Sequence, residues 1–421
     1  MNNTKIFYTA ILIVSILSTV KSQEIKEWRG LNRDGIFHEK NLLNEWPDTG
    51  PELLWSFDSL PVGYSSLCIV ENTIYLTGTQ DTMDVCIALE INGKIKWETV
   101  YGRAWNGSYP DTRCTPAYNN GKLYVSSGYG DVACIDAISG DLLWQVKGYE
   151  KWDIKFCTWG VAESLIVFKD KVIFNPVGEN TTTVALDKET GEVIWESKSI
   201  QDSTAYVSPI LVKYAGINMM INIASANLYG VNLANGDIIW TFKYYNINTP
   251  TWSSRAPINN CTSPLFYKNQ IFVTSGYNHT GALIELNEDA TEAKLVWADT
   301  LLDNHHGGVV RIGDYIYGSN WINNSKGNWI CLDWKTGEKK WDEKWQTKGS
   351  IVSADNKLIL YDEKRGFVGL AEATPENFNL ISSFKVPLGK GPHWSHPVIC
   401  NGVLYIRHNK ALLAYNITNS Q

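Results

Sequence analysis

The stretch Cys134–Trp144, CIDAISGDLLW, is typical of a strand, a tight turn and a second strand that ends on a tryptophan, and copies of it recur along the chain. The other clear copies are Ala88–Trp97 (ALEINGKIKW), Ala185–Trp195 (ALDKETGEVIW), Gly230–Trp240 (GVNLANGDIIW) and Cys331–Trp341 (CLDWKTGEKKW). Looser copies end at Trp55, Trp297 and Phe384. Successive copies end 42, 47, 51, 45, 57, 44 and 43 residues apart. A period in the forties with several short strands per repeat predicts the blades of a β-propeller.

A glycine stands four residues before the tryptophan in each clear copy, and these glycines are Gly93, Gly140, Gly191, Gly236 and Gly337. Tight hairpin turns need a residue with positive φ, which glycine adopts at little cost. The tryptophan ring buries a large area and can fill the wedge between adjacent blades. We therefore expect both repeated residues to be structural.

Each repeat has room for four strands. In the second repeat the pattern predicts strands at 114–117, 122–126, 132–136 and 142–146, with turns between them. The last repeat has three strands, at 396–399, 403–407 and 412–416, and then stops. Glu52–Phe57 resembles the outer strand of a blade, but the other three strands of that blade do not accompany it. Pairing it with the last repeat completes a four-stranded blade and removes an open sheet edge. The sequence thus predicts an all-β fold, an eight-bladed propeller of four-stranded antiparallel blades closed by the N-terminal strand.

The first 22 residues resemble a signal peptide. Lys5 precedes an apolar run from Ile6 to Val20, and the small Val20 and Ser22 favour cleavage before Gln23. The run holds about 15 residues, short of the roughly 20 that span a membrane. We expect a periplasmic or secreted monomer with no membrane span. Its parts are a signal peptide (1–22), an N-terminal segment (23–51) and the propeller (52–421).

The charge balance argues against nucleic acid and anionic membranes as partners. The chain has 37 basic and 44 acidic residues, a net charge of −7. Removal of the leader with its two lysines makes this about −9.

The eight cysteines include no CxxC motif and no adjacent pair. Cys86, Cys134 and Cys331 occupy the same place in three repeats, which favours small buried hydrophobic groups. The alternative is a disulfide within a blade, which export permits, with the candidate pairs Cys68–Cys86 and Cys114–Cys134. No ligand spacing supports a metal site built from cysteine.

The repeat, together with three further motifs, resembles that of the exported pyrroloquinoline-quinone-like (PQQ-like) propellers. These motifs are WRGLNRDG at 28–35 with Trp46-Pro47, HHGGVV at 305–310, and HWSHP at 393–397. The likeness covers essentially the whole mature chain. It implies the propeller fold, but the repeat is shared by quinone-dependent alcohol dehydrogenases and by a non-enzymatic outer-membrane assembly scaffold, so it does not name a function.

The dehydrogenases of this family carry their quinone in the central funnel with Ca²⁺, an Asp base and commonly a disulfide between adjacent cysteines. Here the adjacent pair is absent, and no motif matches the calcium ligands or the base. Bound PQQ with calcium is therefore kept as an alternative only.

In a propeller, the loops from each outer strand to the next inner strand gather around the axis at one face. In this chain these loops are rich in aromatic and cationic residues, which suit a polar ligand. The candidate ligand-binding residues are Arg113, Trp159, Tyr206, Trp252, Arg255, His305, His306, Lys348, His393, Trp394 and His396. The structural alternatives are strand capping by His305 and His306, loop ordering by His393 and His396, and carbonyl binding by Arg113 and Arg255.

Three functions stay open. The first is a binding or scaffold propeller that docks a polar small molecule, a glycan or a protein in its funnel, in the setting of polysaccharide utilisation. The second is a quinone-dependent oxidoreductase acting on alcohols or sugars. The third is a lyase on acidic polysaccharide, with Arg113 or Arg255 on the carboxylate, His305 or His306 as base and Tyr206 as acid. Whether the protein is an enzyme is left open, and the binding propeller is preferred.

Overall fold

The eight-bladed architecture predicted from the repeat is confirmed. The computed structural model describes residues 23–247 and 259–419, and its strands form eight sheets, each with four antiparallel strands. One of these sheets has a fifth strand, Ile36–Phe37, which pairs in parallel. The helical elements of the described part are the short α-helix Gly148–Trp152 and the 3₁₀ turn Tyr244–Asn246. In the described ranges we find no helix with the length and apolar character needed to cross a membrane.

The first four blades follow the sequence without interruption. Blade 1 consists of Cys68–Val70, Thr73–Gln80, Met83–Glu90 and Ile95–Arg103. Blade 2 consists of Ala117–Asn119, Lys122–Ser126, Val132–Asp136 and Leu142–Val146, so three of its four strands have the predicted bounds. Blade 3 consists of Ile166–Phe168, Lys171–Phe174, Val184–Asp187 and Val193–Glu196. Blade 4 consists of Ile210–Tyr214, Ile217–Ile223, Leu228–Asn232 and Ile238–Phe242.

The remaining blades complete the ring. Blade 5 consists of Leu265–Tyr267, Gln270–Val273, Gly281–Leu286 and Ala293–Asp299. Blade 6 consists of Val309–Ile312, Tyr315–Ser319, Trp329–Asp333 and Lys339–Glu343. Blade 7 consists of Gly349–Ala354, Lys357–Asp362, Phe367–Glu372 and Leu380–Lys385. Blade 8 takes Val398–Cys400, Val403–His408 and Ala411–Asn416 from the C-terminal end of the chain and Glu52–Phe57 from near its start.

The ring closes by the predicted pairing. Glu52 faces Asn416 and Phe57 faces Leu412 in an antiparallel register, so the first propeller strand becomes the outer strand of blade 8. Closure leaves blade 8 with the same four-stranded form as the other blades and no unpaired edge at Ala411–Asn416.

The repeated glycine and tryptophan contact each other across neighbouring blades. A Cβ atom at Gly140 of blade 2 would lie 2.7 Å from the indole ring of Trp97 in blade 1. Gly140 also has a φ of +80°, as a tight turn requires. The indole N–H of Trp97 donates to the backbone oxygen of Ala137 in the same turn of blade 2, 3.3 Å away. The same contact recurs in the pairs Trp55–Gly93, Trp144–Gly191, Trp195–Gly236 and Trp297–Gly337.

The N-terminal segment spans the axis of the ring, a feature that the repeat pattern does not predict. Ile25 pairs with Ile69 of blade 1, whereas Arg33, buried, donates to backbone oxygens of Ser164 and Leu165 at the start of blade 3. Arg29, also buried, donates to backbone oxygens in blades 6 and 7, and Ile36–Phe37 pairs in parallel with the inner strand of blade 7. The segment therefore links inner strands on opposite sides of the ring.

All eight cysteines are free thiols, so neither of the alternative disulfides forms. Cys86, Cys134 and Cys331 are fully buried, in agreement with the expectation of small hydrophobic groups. The proposed signal peptide, residues 1–22, lies outside the described residues.

Candidate functional site

A cavity lies at the axis where the loops between blades converge. Its volume is about 250 Å³, and it opens through a wider mouth that shares several of its side chains. Each of the eight connections between blades supplies at least one lining residue. In ring order from the connection between blades 8 and 1, these are Tyr64, Arg113, Trp159, Tyr206, Cys261, His305, Lys348 and Trp394. Trp28, from the N-terminal segment that spans the axis, also lines the cavity.

Most of the candidate residues meet here. The candidates that line the cavity are Arg113, Trp159, Tyr206, His305, His306, Lys348, Trp394 and His396. His393 is not among its lining residues. Trp252 and Arg255 lie outside the described residues.

Six aromatic rings form a closed circle around the axis, which we call the aromatic collar. Neighbouring rings in the circle have centroids 4.6–6.5 Å apart. In order, the members are Tyr109, Trp159, Tyr277, His305, His306 and Trp394, with Trp394 returning to Tyr109. They come from loops on several sides of the ring, so the collar surrounds the cavity rather than lining one wall.

Arg113 lies next to the collar, close to three aromatic rings. Its guanidinium carbon is 5.0 Å from the ring of Tyr206, 5.2 Å from Tyr64 and 5.5 Å from Trp394. Nη1 donates to the backbone oxygens of Asp111 (2.6 Å) and Tyr109 (3.3 Å). Arg113 thus binds loop carbonyl groups, as the structural alternative expected. These hydrogen bonds use only one of its guanidinium nitrogens, and a guanidinium has five N–H donors.

Three ionisable side chains form a buried cluster on the cavity wall. Lys348 and Glu363 are 3% and 2% exposed and form an ion pair, and Nε2 of His306 lies 2.8 Å from the other carboxylate oxygen of Glu363. Burial alone would raise the pKa of Glu363, but the contacts with His306 and Lys348 outweigh burial and lower it. Burial lowers the pKa of Lys348, and Glu363 partly offsets that effect.

Burial keeps the two collar histidines in their neutral form. Desolvation lowers the pKa of His306 and, with the adjacent His306 and Lys348, lowers the pKa of His305 well below its usual range. Nε2 of His305 is hydrogen-bonded to the hydroxyl of Tyr277 at 2.7 Å. Within the described part of the chain, Nδ1 of both histidines and the indole N–H of Trp159 are buried without a hydrogen-bond partner. A polar ligand could pair with them.

His396 and His393 have structural contacts. Both ring nitrogens of His396 are engaged, by Arg29 and by the backbone oxygen of His306. The ring of His393 stacks on His408 with centroids 3.6 Å apart, and its Nδ1 is 2.6 Å from the hydroxyl of Tyr361. For these two residues the contacts match the loop-ordering alternative.

Sequence reasoning missed four lining residues on loops inside blades: Tyr277, Asn324, Glu363 and Lys364. In a blade of antiparallel strands, the loop between the second and third strands lies at the same face as the connection to the next blade. Reading only the connections between blades overlooks this second set of loops. Counting strand directions would have found them.

The lining residues do not fit a quinone held with calcium. Ca²⁺ takes six to eight oxygen ligands, most of them from carboxylates and carbonyls. In residues 23–247 and 259–419 no three His, Cys, Asp or Glu side chains converge as a metal site. The carboxylate on the cavity wall, Glu363, already pairs with Lys348 and contacts His306.

The sequence profile of the PQQ_2 family, described as outer membrane protein assembly factor BamB, matches residues 82–343. The chain belongs to this family. The match covers more than half of the sequence and includes blades 2 to 6, so it confirms the resemblance of the repeats to PQQ-like propellers.

Curated relatives are similar over shorter stretches. An uncharacterised protein of Rickettsia conorii is 27% identical over 186 residues, which cover 43% of this chain and 40% of that protein. The quinoprotein ethanol dehydrogenase of Pseudomonas putida is 30% identical over 138 residues, which cover 30% of this chain and 22% of the enzyme. The chain thus spans less than half the length of these relatives.

Solved structures share the fold at low sequence identity. The quinohemoprotein alcohol dehydrogenase of Comamonas testosteroni has a TM-score of 0.68 and 12% identity, with 94% of this chain and 81% of that one covered. BamB from Moraxella catarrhalis has a TM-score of 0.61 and 14% identity, with 87% of this chain and 99% of that one covered. At such identities the likeness concerns the fold alone.

Proposed function

We propose that this PQQ-like propeller is a binding protein that holds a saccharide in its axial cavity. The observation that carries the proposal is the aromatic collar, in which flat rings surround buried polar atoms that have no hydrogen-bond partner among the described residues. An unpaired buried polar group costs about 1–3 kcal/mol, so a ligand that pairs with it gains affinity. A sugar ring offers both an apolar face for the rings and hydroxyl groups for the polar atoms.

The size of the cavity favours a saccharide over a protein surface. Its volume of about 250 Å³ lies behind a collar of touching side chains. Protein partners in stable complexes usually bury about 800 Å² each over a broad surface. A narrow site behind an open mouth suits one end of a chain or a single ring, with the rest of the ligand in the mouth.

The proposal is tested by calorimetric titration with a panel of neutral and acidic oligosaccharides. We expect saturable binding that Trp159→Ala and Trp394→Ala each weaken about tenfold or more, because each ring contributes to the collar. Tyr149→Ala is the matched control, since Tyr149 is 44% exposed outside the cavity. Absence of binding by every saccharide at millimolar concentration would overturn the proposal, and saturable binding of a defined protein partner instead would favour a scaffold.

A second candidate is a lyase on acidic polysaccharide, favoured by the protonation states around the cavity. Burial raises the pKa of Tyr206 to about 12, so the phenol keeps a proton to donate, while His305 and His306 are neutral and can accept one. Arg113 lies 5.0 Å from the Tyr206 ring and could neutralise a uronate carboxylate. Release of unsaturated products that absorb in the ultraviolet, lost in Tyr206→Phe, would establish this activity.

We also propose that the protein is exported and acts in the periplasm or outside the cell. The supports are the composition of residues 1–22 and the membership in a family described as an outer membrane protein assembly factor. The N-terminal sequence of the protein recovered from its native cells is expected to start at Gln23. A start at Met1 would contradict export by cleavage.

A further inference from the structure

Two cationic side chains on the cavity, Arg113 and Lys364, form no ion pair within the described residues, whereas Lys348 is paired with Glu363. Asp111, at the mouth, accepts a hydrogen bond from Arg113 through its backbone oxygen rather than its carboxylate. No carboxylate of the described residues therefore lies within ion-pair distance of Arg113, although its charge partly offsets the rise that burial causes in the pKa of Asp111.

The surroundings of Arg113 fix its position without neutralising it. Three aromatic rings lie 5.0–5.5 Å from the guanidinium carbon, and attraction to ring faces holds a cation while leaving its formal charge intact. The two backbone hydrogen bonds both leave from Nη1. A guanidinium has five N–H donors, so donors remain for a ligand.

Arg113 thus places a positive charge, without an ion-pair partner among the described residues, at the cavity of a chain whose net charge is −7. A positive group at the axis of an acidic protein attracts anions and orients them towards the cavity. The planar fork of arginine matches a carboxylate, which it binds through two parallel hydrogen bonds.

We propose that the saccharide bound in the axial cavity is anionic and that Arg113 binds its negative group, a uronate carboxylate in the first instance. Lys364, exposed at the mouth, adds a second positive charge on the path of the ligand. The inference rests on the binding function proposed above, and it makes Arg113 the residue that selects charged over neutral sugars.

The test compares three ligands of equal length by titration calorimetry: an oligogalacturonate, its fully methyl-esterified form, and a sulfated galactose oligomer. The ester keeps the size and rings of the acid and removes only the charge. The variants are Arg113→Gln, Arg113→Lys and the control Arg103→Gln. Arg103 is a matched control because it pairs with Asp131 and does not line the cavity.

We expect the wild type to bind the acid at least about tenfold more tightly than the ester, the size of one charge-assisted hydrogen-bonded contact. Arg113→Gln should remove that preference, and a melting temperature close to that of the wild type would show that the variant is folded. Arg113→Lys should keep part of the preference, and Arg103→Gln all of it. Added salt should weaken binding of the acid more than that of the ester.

The outcomes separate this inference from the binding function. Equal affinity for acid and ester in the wild type, or a preference that survives in Arg113→Gln, would overturn the role of Arg113 and leave saccharide binding standing. Tighter binding of the sulfated oligomer than of the uronate, again lost in Arg113→Gln, would support an anionic ligand and assign the charge to sulfate. Failure of all three ligands to bind would contradict the binding function for this class of glycan and, with it, this inference.

Discussion

Arg29 donates a hydrogen bond from Nη1 to Nδ1 of His396, 2.7 Å away. Because arginine can only donate, Nδ1 must accept, and the ring proton of neutral His396 is then on Nε2. Nε2 donates in turn to the backbone oxygen of His306, at 2.9 Å. These two bonds connect the N-terminal segment to the peptide that carries the collar histidines.

Replacement of Arg29 by methionine should destabilise the whole ring. The substitution keeps the length of the side chain but leaves His396 Nδ1 and the backbone oxygens of Val309 and Ile351 without their donor. We expect a loss of at least about 3 kcal/mol, since buried acceptors without partners cost about 1–3 kcal/mol each. The loss is measured as a change in the free energy of unfolding by urea. Arg365→Met, at an exposed position, is the control and should change stability by no more than about 0.5 kcal/mol. Equal losses of stability in Arg29→Met and Arg365→Met would contradict the role of Arg29.

The contact between Gly140 and Trp97 can be separated from backbone strain. Gly140 and Gly121 share a φ of +80°, but a Cβ at position 140 would meet the Trp97 ring at 2.7 Å, whereas one at 121 meets nothing within 4 Å. Gly121→Ala should cost about 1–2 kcal/mol for the left-handed conformation alone. Gly140→Ala should cost a further 1–3 kcal/mol, roughly, for the crowded contact. Equal melting temperatures for the two variants would show that the tryptophan is free to move away.

The repeat predicted the ring because glycine and tryptophan serve the same contact at five junctions between blades. The ends of the chain were predictable for a similar reason: three strands without an outer partner require the missing one, and Glu52–Phe57 supplies it. In the first case the same contact recurs in the sequence, and in the second the strands of each blade can be counted.

The N-terminal segment was not predictable in this way. Arg29 and Arg33 bind backbone oxygens of distant blades. Every residue has a backbone oxygen, so the sequence does not show which ones an arginine will bind. Glu363 was missed for another reason, because its place is a turn inside blade 7 rather than a connection between blades. Four of the six collar members were candidates from the sequence, whereas Tyr109 and Tyr277 were not.

Glu163 should make stability fall as pH rises. Burial raises its pKa to about 8, which hydrogen bonds from Asn175 only partly offset. An unfolded glutamate loses its proton near pH 4.3, so between about pH 4.3 and 8 the folded state binds more protons than the unfolded state. Glu163→Gln cannot ionise and should gain stability over the wild type across this window, on the order of 5 kcal/mol at pH 8.

The comparison is made by urea unfolding at pH 5 and pH 8. At pH 5, less than one pH unit above the pKa of an unfolded glutamate, wild type and variant should differ by only about 1 kcal/mol. Glu98→Gln, at an exposed position on the outer strand of blade 1, is the control and should not change the dependence on pH. A wild type and Glu163→Gln with parallel pH profiles would show that Glu163 is not the titrating group.

The ion pair between Lys348 and Glu363 should behave as a unit. Each side chain is almost fully buried, so removal of one charge leaves the other without compensation in a poorly solvated wall. Lys348→Met and Glu363→Gln should each cost about 3–5 kcal/mol, whereas the double variant should recover a large part of that loss. His306 contacts only Glu363 of the pair, so Glu363→Gln also removes the group that opposes the effect of burial on the pKa of His306. An NMR titration of His306 should then show a lower pKa in Glu363→Gln than in the wild type. Additive losses in the double variant would instead mean that the two charges are stabilised independently by the surrounding loops.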